Sequence, residues 1–368
     1  LRKTASKAPD FLLFLTVLML LSIGLVMILS ASEYSTLVRY GDSFYFFKRQ
    51  LLWALIGLTA MFLVMNWDYW HLRRWATPML GLAFLLLIMV LVPGLGREVY
   101  GSSRWIVFGP LTFQPSEFVK LSLVVFTACG LARIGERVQS FTKGILPFLL
   151  VSGLASGLIL LQPDLGTAVT LAGTILVMFF AAGARMSVLA GLAGAGLVAV
   201  GVAIAVEPYR MQRFLSFLDP WADPQGSGFH IIQSLYALGS GGLFGVGLGQ
   251  GKQKFLYLPE QHTDFIFAVI GEELGFVGAA LVIVLFAVFV WRGLRVAVAA
   301  PDAFGSLLAT GLTVGVALQA FINMGVVTGM LPVTGITLPL ISFGGTSLIF
   351  TLIGVGILLN ISKYATGK

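Results

Sequence analysis

The chain has 368 residues, 58% of them hydrophobic and 11% charged, with a mean hydropathy of +0.95. A soluble domain carries about a quarter of its residues as charges to solvate its surface, so an ordinary soluble protein is excluded. The net charge of +7 suits anionic head groups and diphosphates, and equally a surplus of cations in the loops on one side of a membrane. A single cysteine, Cys129, excludes an intramolecular disulfide framework, and three histidines without Cys/His spacing leave a zinc site without its usual ligands.

Apolar runs near 20 residues recur from end to end, each long enough to cross a hydrocarbon core of about 30 Å. The fold class is therefore all-α, a polytopic integral membrane protein, and the alternating strands of an outer-membrane barrel are missing. The basic start (Arg2, Lys3, Lys7) imitates a signal peptide, but the run that follows is too long for its apolar segment and reads as a retained first span. Ten spans are expected, at residues 11–32, 46–66, 75–93, 115–132, 144–162, 165–183, 187–206, 264–291, 303–325 and 345–362. Residues 1–368 form one transmembrane domain, with a large extracytoplasmic loop, 207–263, between spans seven and eight. No internal repeat is visible.

An even number of spans puts both ends on one side. Loops on that side hold 13 of the 23 Lys and Arg, which makes the side cytoplasmic.

Three stretches on the opposite side break the pattern. Residues 94–120 combine Ser102-Ser103-Arg104-Trp105 with Gln114-Pro115-Ser116-Glu117 and read as an interfacial loop leading into span four. Residues 207–263 open with Tyr209, Arg210 and Arg213 and turn at Asp219-Pro220-Trp221-Ala222-Asp223-Pro224. They then resume a helical spacing at Ile231, Ile232, Leu235 and Leu238. Gln233 and Ser234 oppose that face, which predicts a short amphipathic helix lying in the interface and ended by Gly239. Residues 325–345 carry two Leu-Pro steps inside a 60-residue stretch, 303–362, that has no charge. Such irregular backbone at membrane depth survives only against protein or a wet cavity.

The sharpest candidate for chemistry is Asp264, where a polar loop turns into an apolar helix. Projected along a helix, Asp264, Ala268, Gly271, Gly275 and Gly278 fall within about forty degrees of one line. This small-residue face would admit another helix or a lipid-like chain. An ionisable group beside a span is costly and usually functional; the alternative is an acid that only caps the helix. Glu117 and Lys120, three apart, can pair on one helix face, or form an interfacial ion pair of little consequence. Asp164, within Gln162-Pro163-Asp164, is a site acid or a helix cap. Arg104, Arg210 and Arg213 anchor the head-group layer or bind a diphosphate. Glu272 and Glu273 point apart on a helix and cannot both serve one site; pairing between helices accounts for at least one. The glycine run 245–251 lacks the strand–turn–helix setting of a dinucleotide fingerprint.

Taken together, LPEQHTDFIFAVIGEELG, FQPSEFVK, LQPDLGTA, FLDPWADPQGSGFHIIQSL and GMLPVTGITLPLISFGGTSL resemble the SEDS family of bacterial cell-wall polymerases, in order and through nearly all of the chain. EELG and ITLPLISFGGTS look more like the division and sporulation (FtsW-like) branch than the elongation (RodA-like) branch. The resemblance implies a multi-pass protein of the bacterial cytoplasmic membrane, with both termini cytoplasmic and its active site outside. It implies a peptidoglycan glycosyltransferase that polymerises lipid II with release of undecaprenyl diphosphate. Its partners would be a class B penicillin-binding protein and other divisome membrane proteins, with no nucleic acid. By motif, Asp264 is the essential carboxylate and general base. Glu117 and Lys120 line the central cavity, and Asp164, Arg210 and Arg104 are further substrate-binding candidates. A divalent cation (Mg or Mn) at the diphosphate is an open expectation. An acid of ordinary pKa is a weak base for an alcohol, so Asp264 should sit in a partly desolvated cleft. The competing readings are a flippase for the lipid-linked precursor and a recruiting scaffold.

Overall fold

The computed structural model describes residues 8–92, 96–99, 102–108, 111–253 and 258–365; the basic start and Lys368 lie outside them. Among the described residues the α-helices, in chain order, are α1 (Phe11–Tyr40), α2 (Tyr45–Met65), α3 (Leu72–Leu91), α4 (Pro115–Ile134), α5 (Leu146–Leu160), α6 (Leu165–Ala181), α7 (Met186–Val206), α8 (Pro208–Leu218), α9 (Phe229–Gly241), α10 (Ile266–Ala299), α11 (Ala303–Val327) and α12 (Gly345–Ser362). Among the described residues nine helical segments are long and apolar enough to cross a membrane, and the shorter apolar α6, 17 residues long, lies where the sixth of the ten expected spans was placed. These helices are apolar on most sides because lipid surrounds them and each satisfies its own backbone. α11 is central and packs on α4, α6 and α10, while α2 lies along α12.

The two described ends meet. Asp10 caps α1 through the Leu13 amide (2.9 Å), its own amide donates to Ser362 Oγ (2.9 Å), and its carboxylate pairs with Arg292 of α10. Asn360 near the end of α12 accepts from Tyr69 N (3.0 Å) and donates to Met65 O (2.8 Å). The even span count therefore holds, and Asp264 is at the opposite end of the bundle.

The stretch expected as a plain loop before span four is a three-stranded antiparallel sheet, in the order β1 (Gly96–Val99), β2 (Ser102–Phe108), β3 (Leu111–Phe113). Ile106 pairs with Gly96 on one side and Phe113 on the other, and its side chain is buried. The run Ile106-Val107-Phe108 is β-prone, and its short length hid it beneath the neighbouring Gly and Pro. The sheet turns Arg104 toward the turn before α6.

The helix expected to lie in the interface exists as α9 but presents a different face. Ser234 is fully buried and donates to Val327 O (2.7 Å), whereas Leu235 is exposed. α9 runs past Gly239 to Gly241 and packs on α10. It does so by close backbone approach: a Cβ on Gly241 would be 1.9 Å from Gly271 O. The small-residue face of α10 is thus occupied by α9, with Leu238 over Gly271 and Ala268 fully buried. It is not open to a lipid chain. Periodicity marked a face that needs a close neighbour, but the neighbour is the chain itself.

Beyond that contact α10 is interrupted at Gly275 (φ +67°). In an unbroken helix Phe276 N and Val277 N would donate to Glu272 O and Glu273 O. Instead they donate to Gly242 O (2.9 Å) and Leu243 O (3.1 Å), and the vacated carbonyls accept from Val246 N and Gly247 N (both 3.0 Å). The glycine run splices into the helix ladder, so every displaced group is satisfied. Glu272 and Glu273 then grip the same run, against expectation. Glu272 accepts from Lys252 N (2.7 Å) and Gln253 N (3.3 Å), and Glu273 from Gly249 N (3.1 Å). The break at Gly275 lets the loop reach both carboxylates. Glu273 also accepts from Ser30 Oγ of α1 (2.5 Å), the helix-to-helix pairing expected for one of the two.

Candidate active site

Asp264 lies in the turn before α10, outside the membrane-spanning helix, which begins at Ile266 and not at 264. The N-cap of α10 is Phe265, without a side-chain bond, so the capping alternative for Asp264 is removed. The turn is closed by Thr263 N and Phe265 N donating to Glu260 O (3.1 and 3.2 Å), with Glu260 held at φ +51°. The irregular segment 328–344, uncharged in sequence, is the other wall. Ser342 Oγ donates to Thr263 O (2.6 Å), Phe343 N donates to His262 O (2.9 Å), and Gly335 faces a carboxylate oxygen of Asp264. Asn323 of α11 donates to both Asp264 O and Ile336 O (each 2.7 Å). This irregular backbone is tolerated because it packs on protein and lines the site.

The Asp264 side chain is half-buried, and among the described residues no hydrogen bond holds its carboxylate. Burial pushes its pKa up to about 7; Glu260 adds to the rise and Asp164 contributes a little, while Arg213 and Arg104 oppose it. Burial thus acts on Asp264 in the direction expected of a base. Burial likewise draws the Arg213 guanidinium below its ordinary range, against the pull of Tyr209 and Asp264. Arg213 stacks 4.3 Å over Tyr209 and donates to Val333 O (3.4 Å). His262 is brought down to about 4 by burial, with Glu260 opposing, and is neutral at pH 7.

The other sequence candidates divide. Asp164 does cap α6, accepting from Thr167 N (3.0 Å) and Thr167 Oγ1 (2.9 Å), and also pairs with Arg104 (3.7 Å). Arg104 further donates to Gln162 O (3.0 Å) and to Pro163 O, so β2 and the turn before α6 bring both residues within electrostatic reach of Asp264. Arg210 is placed elsewhere: it donates to Ala203 O (3.1 Å) and Leu160 O (3.0 Å), closing carbonyls near the ends of α7 and α5. The cation of α8 that faces Asp264 is Arg213, three residues on. Sequence had no means to orient α8 on its neighbours, and nothing singled out Glu260, Gln319 or Asn323.

Glu117 and Lys120 pair at 2.9 Å near the start of α4, and Lys120 donates also to Gln319 Oε1 (2.7 Å). Gln319 Nε2 in turn donates to Thr337 O (3.0 Å) on the irregular wall. Below this cluster an apolar pocket runs between α4, α11 and α12, lined by Leu121, Val124, Gly315, Val316, Phe350 and Gly354. Among the described residues no three His, Cys, Asp or Glu side chains converge as a metal cage.

A half-buried carboxylate with no hydrogen bond among the described residues lies beside arginines at the mouth of a polytopic helical bundle, the arrangement of a multi-pass membrane enzyme. Residues 10–367 match the family FtsW/RodA/SpoVE, described as "Cell cycle protein", and the chain belongs to it. It is 50% identical to Stage V sporulation protein E of Bacillus subtilis (strain 168), over 98% of this chain and 99% of that one. It is 46% identical to the probable peptidoglycan glycosyltransferase FtsW of Trichlorobacter lovleyi, over 96% and 93%. Among solved structures it resembles a chain from work on the structural coordination of polymerization and crosslinking by a peptidoglycan synthase complex (TM-score 0.80, 36% identity, 96% and 98% covered). It also resembles the rod shape determining protein RodA of Thermus thermophilus (TM-score 0.74, 31% identity, 98% and 99% covered).

Proposed function

We propose that the chain is a peptidoglycan glycosyltransferase of the division and sporulation branch, polymerising lipid II into β-1,4 glycan on the outer face of the bacterial cytoplasmic membrane. The observation that carries the reading is the half-buried Asp264 carboxylate, free of hydrogen bonds among the described residues and under the charge of Arg213 and Arg104. Orientation rests on the cation surplus at the end where the termini meet. Counting about 20 residues of helix up from Arg292 reaches the level of Glu273 and Ser30, where roughly 30 Å of hydrocarbon would end. Asp264 is then beyond it, at the head-group layer.

The reaction needs a base on one sugar hydroxyl and positive charge for a departing diphosphate. The GlcNAc 4-hydroxyl oxygen forms a bond to C1 of the MurNAc on the second lipid as its proton passes to Asp264. The bond from C1 to the diphosphate oxygen breaks, and undecaprenyl diphosphate leaves with the electron pair. One displacement converts an α-linked donor into a β link, so no second carboxylate is needed as nucleophile. A carboxylate with pKa near 7 is ionised for half of the molecules at neutral pH and is a far better base than an ordinary aspartate. Arg213 and Arg104 face the side where diphosphate charge develops. Arg213 takes the role that sequence gave to Arg210, while Lys120, held by Glu117 and Gln319, is a third cation, at the pocket mouth. A divalent cation carried by the diphosphate would add to the same charge neutralisation.

A class B penicillin-binding protein is the partner this reading implies, supported by the synthase complex to which one similar structure belongs. Purified chain with that transpeptidase and labelled lipid II should make long glycan strands, and Asp264→Ala none. Movement of lipid II between leaflets without polymer, and regardless of Asp264, would establish a flippase instead. Neither activity would leave a scaffold.

A further inference from the structure

On this polymerase reading, we infer that Asn323 is a positioning residue for the Asp264 base, and that α11 sets the base against the Lys120 cation through two side-chain amides one turn apart. Asn323 is 1% exposed, and its two amide hydrogens are spent on Asp264 O and Ile336 O, both at 2.7 Å. The amide orientation is fixed chemically, since the opposite rotamer would set Oδ1 against two carbonyl oxygens. Its Oδ1 is buried with no partner among the described residues. A buried amide whose acceptor loses its hydration with nothing in exchange is poor as a purely structural choice. Its two donors join the acid's main chain to the irregular wall that has no side-chain charge of its own.

Gln319, four residues earlier and so on the same face of α11, repeats the arrangement. It accepts from Lys120 at 2.7 Å and donates to Thr337 O at 3.0 Å, the residue after Ile336. The acid comes from α10 and the cation from α4, and both are referred to adjacent residues of one wall by one helix. No other described side chain hydrogen-bonds Asp264, so the carboxylate is aimed through its backbone. The ionisable groups that face it are Glu260 in its own turn, Arg213 on α8, Arg104 on β2 and Asp164 before α6, none of which Asn323 touches.

The test is a pair of substitutions read in two ways. Asn323→Ala should lower kcat about a hundredfold, the usual consequence of misplacing a reacting group by 1 Å, with KM within about threefold. It should also let water reach Asp264, so the acid limb of the pH–rate profile moves below its wild-type position near 7. Gln319→Leu should lower kcat and leave that limb in place. The independent reading is the pH midpoint of Asp264 labelling by a carbodiimide, which reacts with the protonated carboxyl, followed by mass spectrometry. It should fall in Asn323→Ala and hold in Gln319→Leu. Should Asn323→Ala not accumulate, Asn323→Ser, which keeps one donor, should give a smaller shift in the same direction. An unchanged labelling midpoint, or folded Asn323→Ala enzyme with wild-type kcat, overturns the inference. If the wild-type protein makes no polymer but the midpoint still shifts, the polymerase reading fails while the positioning of Asp264 stands.

Discussion

At the residue scale, the burial that lifts the Asp264 pKa comes at a cost in stability. Its carboxyl has a folded pKa of about 7 against an ordinary 3.8, so below pH 4 it is neutral whether folded or unfolded and contributes nothing. Between pH 4 and 7 the unfolded chain ionises first, and folding is progressively penalised until the penalty levels off above 7. Asp264→Asn should therefore melt higher than wild type in detergent, by a margin that grows from pH 4 to 7 and is constant above. A margin independent of pH would count against the buried-acid description. Arg213 holds the Asp264 pKa down, so Arg213→Ala should move the acid limb of activity to higher pH and lower the rate at pH 7. Arg210→Ala, which loses only two backbone carbonyl contacts, should destabilise the protein without moving the limb. Lys120→Met should cost polymerisation about a hundredfold or more, the scale of removing one preorganised charge at a site. It should still insert in the membrane; a near-normal rate would remove Lys120 from the site.

At the element scale, the break in α10 is the feature that periodicity could not report. A helical projection of residues 264–278 assumes an unbroken helix, and the splice at Gly275 voids it past that residue. Gly275→Ala forces an L residue to φ +67° and puts a Cβ 2.2 Å from Gly245 N. It should destabilise by about 1–3 kcal/mol and loosen the 241–253 run. Hydrogen exchange at Val246 and Gly247 amides should rise together with exchange at Phe276 and Val277, because the four bonds form one ladder. A rise confined to one side would mean that the loop and the helix are not joined in this way. The same element shows why Glu272 and Glu273 misled: on a straight helix they diverge, whereas here both point at a chain that folds back over the break.

At the scale of the whole molecule, the meeting of Asp10 with Ser362 and Arg292 settles that the described ends share one face, and Asp264 the other. In a Cys129→Ser background, a cysteine at the exposed Gln225 should react with a membrane-impermeant thiol reagent from outside intact cells. One at the exposed Arg137 should react only after lysis. The reverse pattern would turn the protein over and put the proposed site in the cytoplasm.

Hydropathy and span length alone determined the class and the places of the long apolar helices, because lipid demands such helices and each announces itself locally. Asp264, Glu117 and Lys120 also stood out as candidates, since a charge beside or within apolar sequence is rare and expensive. What only the tertiary structure decided was how separate helices face one another. It chose Arg213 over Arg210, laid α9 on the glycine face, made strands of 96–99, 102–108 and 111–113, and brought Asn323 and Gln319, two unremarkable amides in an uncharged stretch, to the acid and the cation. Those outcomes depend on rotations and close approaches between segments far apart in the chain, to which no local spacing of residues responds.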